Sequence, residues 1–175
     1  GGILSHKTVT YTAEGEADFI FYGHANNKGK GTKYIKMHGR KVYEFALNKV
    51  PIALQTCLEA SGEDIKNVKK IFIHQANLKM DDAIIKRFFR LYKKPMPENI
   101  LPMNIQEFGN SSVATVPTLF DLVLKQNYGG HRLEKGDLIL FASVGSTPTD
   151  SYVNLRGRLP LAPNRFAASR LADLS

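Results

Sequence analysis

Two short runs of unbroken apolar sequence, Ile71-Phe72-Ile73 and Leu138-Ile139-Leu140-Phe141-Ala142, constrain the fold of this chain most. A strand with one wet face alternates in polarity, whereas an unbroken run of strand length is covered on both faces. The covering layers must come from the rest of the chain, and much of it has helical period. From Lys41 onward, Val42, Phe45, Ala46, Val50, Ala53, Leu54, Cys57 and Leu58 recur at steps of three and four until Gly62. Met80, Ile84, Ile85, Phe88, Phe89 and Tyr92 repeat the pattern. Buried strands alternating with amphipathic helices predict an α/β layered fold.

The flanking segments complete that reading. Thr8 to Thr12 and Phe19 to Tyr22 are rich in β-branched and aromatic residues and predict two strands. Gly23 to Lys33 has loop composition, and its Gly29-Lys30-Gly31-Thr32 lacks the spacing of a phosphate-binding loop. Pro51 has no N–H for the carbonyl of Leu47, so a bend is expected in the first long helix. Ser111 to Asn127 is apolar on nearly every side and predicts an interior helix, ended by Gly129-Gly130. Ser151 to Arg156 could add a last strand, so residues 1–156 are expected to form the folded unit. Residues 157–175 have no hydrophobic period and are expected to be a loose or non-native tail.

The 175 residues suffice for one domain with a sizeable core. The longest apolar stretches fall well short of the roughly 20 residues a membrane span needs, and no charged leader opens the chain. A single cysteine excludes an internal disulfide. These features give the expectation of a soluble, cytoplasmic protein without membrane attachment. The start at Gly1-Gly2-Ile3 suggests a boundary inside a larger protein. The formal net charge of +8 favours an anionic partner, although a solvated basic face explains it equally well.

Two clusters could bear chemistry. His74-Gln75-Ala76-Asn77 follows a buried strand and opens a helix, where side chains can face a cleft while the sheet holds their backbone. A lone histidine in that position is usually structural. Gly109-Asn110-Ser111-Ser112 repeats the arrangement before the next helix, and by itself it reads equally as a helix cap. His6, His24, His38 and His131 are scattered without metal-ligand spacing, so no metal site is expected.

Taken together, these runs resemble a known family. Ile73 to Asn77, Phe108 to Pro117 and Lys135 to Leu140, with Met37 to Ala46 upstream, are similar in order to the C-terminal part of the ketoacyl-acyl carrier protein synthase III enzymes of the thiolase superfamily. The resemblance spans roughly residues 1–144. It implies a thiolase-like layered fold, C-terminal half only, and a decarboxylating Claisen condensation in fatty acid synthesis. A cysteine takes an acyl group from acyl-CoA, and malonyl-acyl carrier protein supplies the carbanion, with no cofactor beyond these substrates.

By that resemblance His74 and Asn110 are the catalytic histidine and asparagine, two neutral donors for the enolate left by loss of carbon dioxide. Asn77 is assigned to orientation or capping and not to proton transfer, and with Gly109 it counts as an orienting or substrate-binding residue. Lys79, near the mouth of the substrate tunnel, is a contact for the carrier protein or CoA, with Arg87 beside it. The implied partners are acyl carrier protein, a CoA thioester, the N-terminal half of the same enzyme and a second subunit of a homodimer. The family's nucleophilic cysteine lies in that N-terminal half. Cys57 falls on the apolar stripe of a helix, where a thiolate is disfavoured, so the chain alone is expected to be inactive. The family's glycine-rich turn after Val144 is replaced by Gly145 to Asp150. A non-catalytic module that binds carrier protein or CoA is the alternative, and nucleic-acid binding, resting on charge alone, ranks last.

Overall fold

The computed structural model describes residues 2–11, 15–25, 29–144 and 156–158. A three-stranded sheet lies at its centre. β3 (Val68–Ile73) runs parallel to β4 (Leu138–Ala142), and β4 pairs antiparallel with β5 (Arg156–Arg158). Ile71 lies opposite Leu140, and Ile73 opposite Ala142. Side chains alternate across a strand, and the two faces of this sheet bury different sets. Ile71, Ile73, Leu138, Leu140 and Ala142 join the larger core, made with α1 (Gly39–Glu59) and α2 (Leu78–Leu91). Phe72 and Ile139 point the other way and pack with Leu119 and Val123 of α4 (Thr115–Gln126). The expectation of strands covered on both faces is met by helices on either side.

The aromatic residues of the smaller core interlock. The Phe72 and Phe141 rings stack at 5.5 Å, and Phe120 meets both edge-on at 5.4 and 5.2 Å. Such offset and edge-on contacts suit the quadrupoles of the rings. On the opposite face α1 and α2 pack together through Val50, Leu54, Ile84, Ile85 and Phe88, all fully buried or nearly so. α1 continues through Pro51, which is itself buried. The carbonyl of Leu47 that proline cannot serve accepts instead from Arg87 Nη1 at 3.2 Å.

Several expectations change. Thr8 to Tyr11 is not a strand, because no neighbouring strand pairs with it in the described residues. The second strand of the hairpin is β2 (Lys33–Met37), antiparallel to β1 (Ile20–His24), so strand structure enters both ends of the segment read as loop. The helix expected over Ser111 to Asn127 begins only at Thr115, and it buries one stripe, Thr115, Leu119 and Val123. Val113 is 88% exposed, and Phe120, Leu122 and Leu124 are half-buried. The apolar character of this segment exceeds what the sheet can cover. β5 extends two residues into the stretch expected to be tail, while residues 151–155 and 159–175 lie outside the described residues. Among the described residues no helix is long and apolar enough to cross a membrane.

Candidate active site

His74 is the first residue beyond β3. Its N–H donates to the carbonyl of Ala142 at 2.8 Å, which extends the ladder one step past the strand ends and fixes its backbone on the sheet. Gln75 then turns inward and is fully buried. Its Oε1 accepts from the N–H groups of Asn104 and Ile105 at 3.0 and 2.8 Å, and its Nε2 donates to the carbonyl of Pro102 at 3.4 Å. One side chain therefore ties the His74 corner to the start of α3 (Ile105–Phe108), the short helix that leads into Asn110. Asn77 caps α2, with Oδ1 accepting from the N–H groups of Lys79 and Met80 at 3.0 and 3.3 Å. Such caps satisfy amides that the first helical turn leaves open.

α3 ends at Gly109, whose φ of 64° and ψ of −161° belong to a region that glycine alone enters readily. That turn delivers Asn110. Its Oδ1 accepts from the N–H of Ser112 at 2.9 Å, so the amide orientation is set and Nδ2 remains as a donor without a partner among the described residues. The carbonyl of the same Ser112 meets Nδ1 of His74 at 3.1 Å. The two candidate catalytic residues, 36 positions apart in sequence, are thus brought to one residue.

This geometry sets the proton on the ring. A carbonyl can only accept, so His74 carries a hydrogen on Nδ1. The neutral ring then offers Nε2 as an acceptor. That differs from the expectation that the one donor nitrogen of a neutral imidazole serves the substrate, because that donor is given to Ser112. Burial pushes the pKa of His74 below its ordinary value, and the Ser112 carbonyl opposes this by favouring the protonated ring. Nε2 becomes a donor when the ring is protonated, a state that a nearby substrate anion favours.

The surroundings separate the remaining candidates. Lys79 is exposed at the start of α2, and its side chain makes no ion pair among the described residues. Arg87, two turns on, bonds Asn48 Oδ1 at 2.7 Å as well as the Leu47 carbonyl, so part of its guanidinium serves packing. Cys57 is 2% exposed on α1, with Sγ 3.4 Å from Ser5 Oγ. No group of three or more possible metal ligands exists among the described residues. Phe108, Val113 and Leu78 expose apolar surface around the two clusters. Sequence reading missed Gln75 and Ser112, whose roles rest on contacts 27 to 38 residues away in sequence. It also missed Asp81, fully buried with neither carboxylate oxygen hydrogen-bonded among the described residues. The signal for Asp81 was present, since it sits three and four residues before Ile84 and Ile85 on the apolar stripe of α2.

The model of the 3-oxoacyl-[acyl-carrier-protein (ACP)] synthase III C-terminal family matches residues 58–149, more than half of the chain and every residue of this site. The chain belongs to that synthase III family. A β-ketoacyl-[acyl-carrier-protein] synthase III of Prochlorococcus marinus strain MIT 9313 is 33% identical over 124 residues, covering 71% of this chain and 33% of its own length. The crystal structure of the 3-oxoacyl-[acyl-carrier-protein] synthase III of Aquifex aeolicus VF5 superimposes with a TM-score of 0.69 at 25% identity, over 90% of this chain and 44% of that one. The priming β-ketosynthase of the R1128 polyketide pathway reaches 0.72 at 21% identity, over 91% and 45%, which shows a shared fold. The chain spans about a third of the length of the curated synthase III relatives it matches.

Proposed function

We propose that this chain supplies the C-terminal half of a β-ketoacyl-acyl carrier protein synthase III, and that His74 and Asn110 serve its decarboxylation step. The observation that supports this reading is the convergence of both side chains on Ser112, which leaves Asn110 Nδ2 and His74 Nε2 uncommitted among the described residues. In the proposed reaction the cysteine of the N-terminal half holds an acyl group as a thioester. The bond between the malonyl α-carbon and its carboxylate breaks, carbon dioxide leaves, and the electron pair moves onto the thioester as an enolate. The α-carbon then attacks the acyl carbonyl, forming a carbon–carbon bond and expelling the cysteine thiolate.

Asn110 donates to the enolate oxygen from Nδ2. His74 donates from Nε2 once protonated, and the incoming malonyl carboxylate raises its pKa toward that state. Fixed donors aimed at developing charge are worth about 100- to 1000-fold each. Lys79 gives the carrier protein or the CoA phosphates a cationic contact at the start of α2. The exposed apolar residues around the site are covered by the N-terminal half and by the second subunit of a homodimer, working in the cytoplasm without a further cofactor.

Local bonding favours one alternative. Asn77 and Asn110 both use Oδ1 on nearby backbone, as purely capping residues would. A non-catalytic module that binds carrier protein or CoA needs no more than that. The half-reactions of the complete enzyme containing this chain separate the two. Alanine at Asn110 is expected to leave acylation of the cysteine intact and to slow malonyl decarboxylation at least about 100-fold; an unchanged decarboxylation rate favours the capping module.

A further inference from the structure

The N–H of Ser112 holds Asn110 Oδ1 at 2.9 Å, and its carbonyl holds His74 Nδ1 at 3.1 Å. The residue itself has a φ of 56°, in the left-handed region that L side chains seldom occupy. Ser112 opens the 3-10 turn Ser112–Ala114, and Thr115 beyond it already has ordinary right-handed geometry, so neither its exposed side chain nor the start of α4 requires that conformation. Left-handed backbone at a non-glycine residue persists when its surroundings over-determine it. Here the two bonds to His74 and Asn110 are what it makes possible, since the turn presents the N–H and the carbonyl of one residue to two different side chains.

We propose that Ser112 is a positioning residue of this condensation site, acting through its backbone: it selects the Nδ1–H tautomer of His74 and orients the amide of Asn110 in a single conformation. The proposal rests on the catalytic reading of His74 and Asn110 for its consequence, but the tautomer it predicts is independent of that reading. Because the contacts are main-chain, the side chain matters only through its tolerance of positive φ. Glycine accepts that conformation freely, and a β-branched residue resists it.

The test compares Ser112→Gly, Ser112→Ala and Ser112→Val in the complete enzyme containing this chain. The valine variant should fall about tenfold or more in malonyl decarboxylation while its cysteine is still acylated, and the glycine variant should lose clearly less than the valine variant. Nitrogen-15 NMR of the His74 ring should show the Nδ1–H tautomer in wild type and glycine variant, and a reduced share of it in the valine variant. The alanine variant, milder than valine, carries the same NMR readout should the valine variant fold poorly. A His74 tautomer unmoved in both alanine and valine variants overturns the proposal. So does a glycine variant as impaired as valine, which would assign the effect to the hydroxyl. If decarboxylation survives alanine at both His74 and Asn110 while the tautomer still follows residue 112, the bridge stands and the catalytic reading falls.

Discussion

Arg87 Nη1 sits 3.2 Å from the carbonyl oxygen of Leu47, the acceptor that Pro51 leaves without its helical donor. A proline inside a helix removes one i to i−4 bond, and the stranded carbonyl must find another partner if it is shielded from water. α2 supplies that partner from the neighbouring element. The same guanidinium reaches Asn48 Oδ1 at 2.7 Å, so one side chain staples α1 to α2 where α1 is weakest.

Replacing Arg87 by alanine is therefore expected to destabilise the fold by about 1–3 kcal/mol, the range for hydrogen bonds from a charged donor. Restoring the helical donor with Pro51→Ala should recover part of that loss. Urea unfolding of both single variants and the double variant checks the coupling. Strictly additive losses would show that the two residues do not share the Leu47 carbonyl.

Asp81 makes stability depend on pH. Burial raises its pKa from 3.8 to about 7, and the Asn77 backbone only partly offsets this without closing a hydrogen bond to either oxygen. The folded state thus binds a proton that the unfolded state releases near pH 4. Its stability should be highest below that point and decline as pH rises toward 7, by up to about 4 kcal/mol. Asp81→Asn removes the ionisation, so it should be more stable than wild type at pH 8 and lose most of that advantage at pH 5. Unfolding midpoints at the two pH values measure this directly, and an equal difference at both would contradict it.

Salt should modulate the encounter with substrate. Lys79 lies exposed at the start of α2, close in sequence to His74, and contacts of this kind are screened over about 10 Å at 0.1 M ionic strength. In the complete enzyme Lys79→Glu is expected to raise KM for malonyl-acyl carrier protein several-fold with kcat little changed, and to flatten the dependence of kcat/KM on salt. A change in kcat alone, with KM and salt dependence preserved, would place Lys79 in the chemistry and not in docking.

His74 should titrate below the ordinary 6.5 in the ligand-free enzyme, because desolvation disfavours the charged ring more than the Ser112 carbonyl favours it. A bound malonyl thioester, whose carboxylate is negative, should raise it. NMR titration with and without a non-hydrolysable malonyl analogue shows the sign, and a pKa unchanged or lowered by the analogue would remove the protonated ring from the mechanism.

What the sequence made legible follows the strength of each local pattern. Ile71 to Ile73 and Leu138 to Ala142 had no polar residue to suggest a wet face, and both became core strands. The stripes of α1 and α2 placed those helices because packing on the sheet decides which face is buried. Patterns that depend on a partner were harder. Thr8 to Tyr11 has strand composition but is not a strand among the described residues, whereas Lys33 to Met37, with two lysines, becomes a strand because β1 lies beside it. Val113 looked interior and is exposed, since apolar sequence records what a surface is built to meet and not what this chain alone covers. At the site, the side-chain types of His74 and Asn110 could be read. The protonated nitrogen of His74, the clamp made by Gln75 and the role of Ser112 could not, because each depends on backbone brought together across 27 to 38 residues.

His74 and Asn110 are expected to act on one developing charge. Release of labelled carbon dioxide from malonyl-acyl carrier protein by the complete enzyme containing this chain, measured for wild type, His74→Ala, Asn110→Ala and the double variant, tests it most directly. Each single variant is predicted to lose about 100- to 1000-fold while its cysteine still accepts the acyl group, and the double variant to lose far less than the product of the two. Near-normal decarboxylation in the double variant would contradict this assignment, leaving His74 a structural histidine at the end of β3 and Asn110 a residue of the turn before α4.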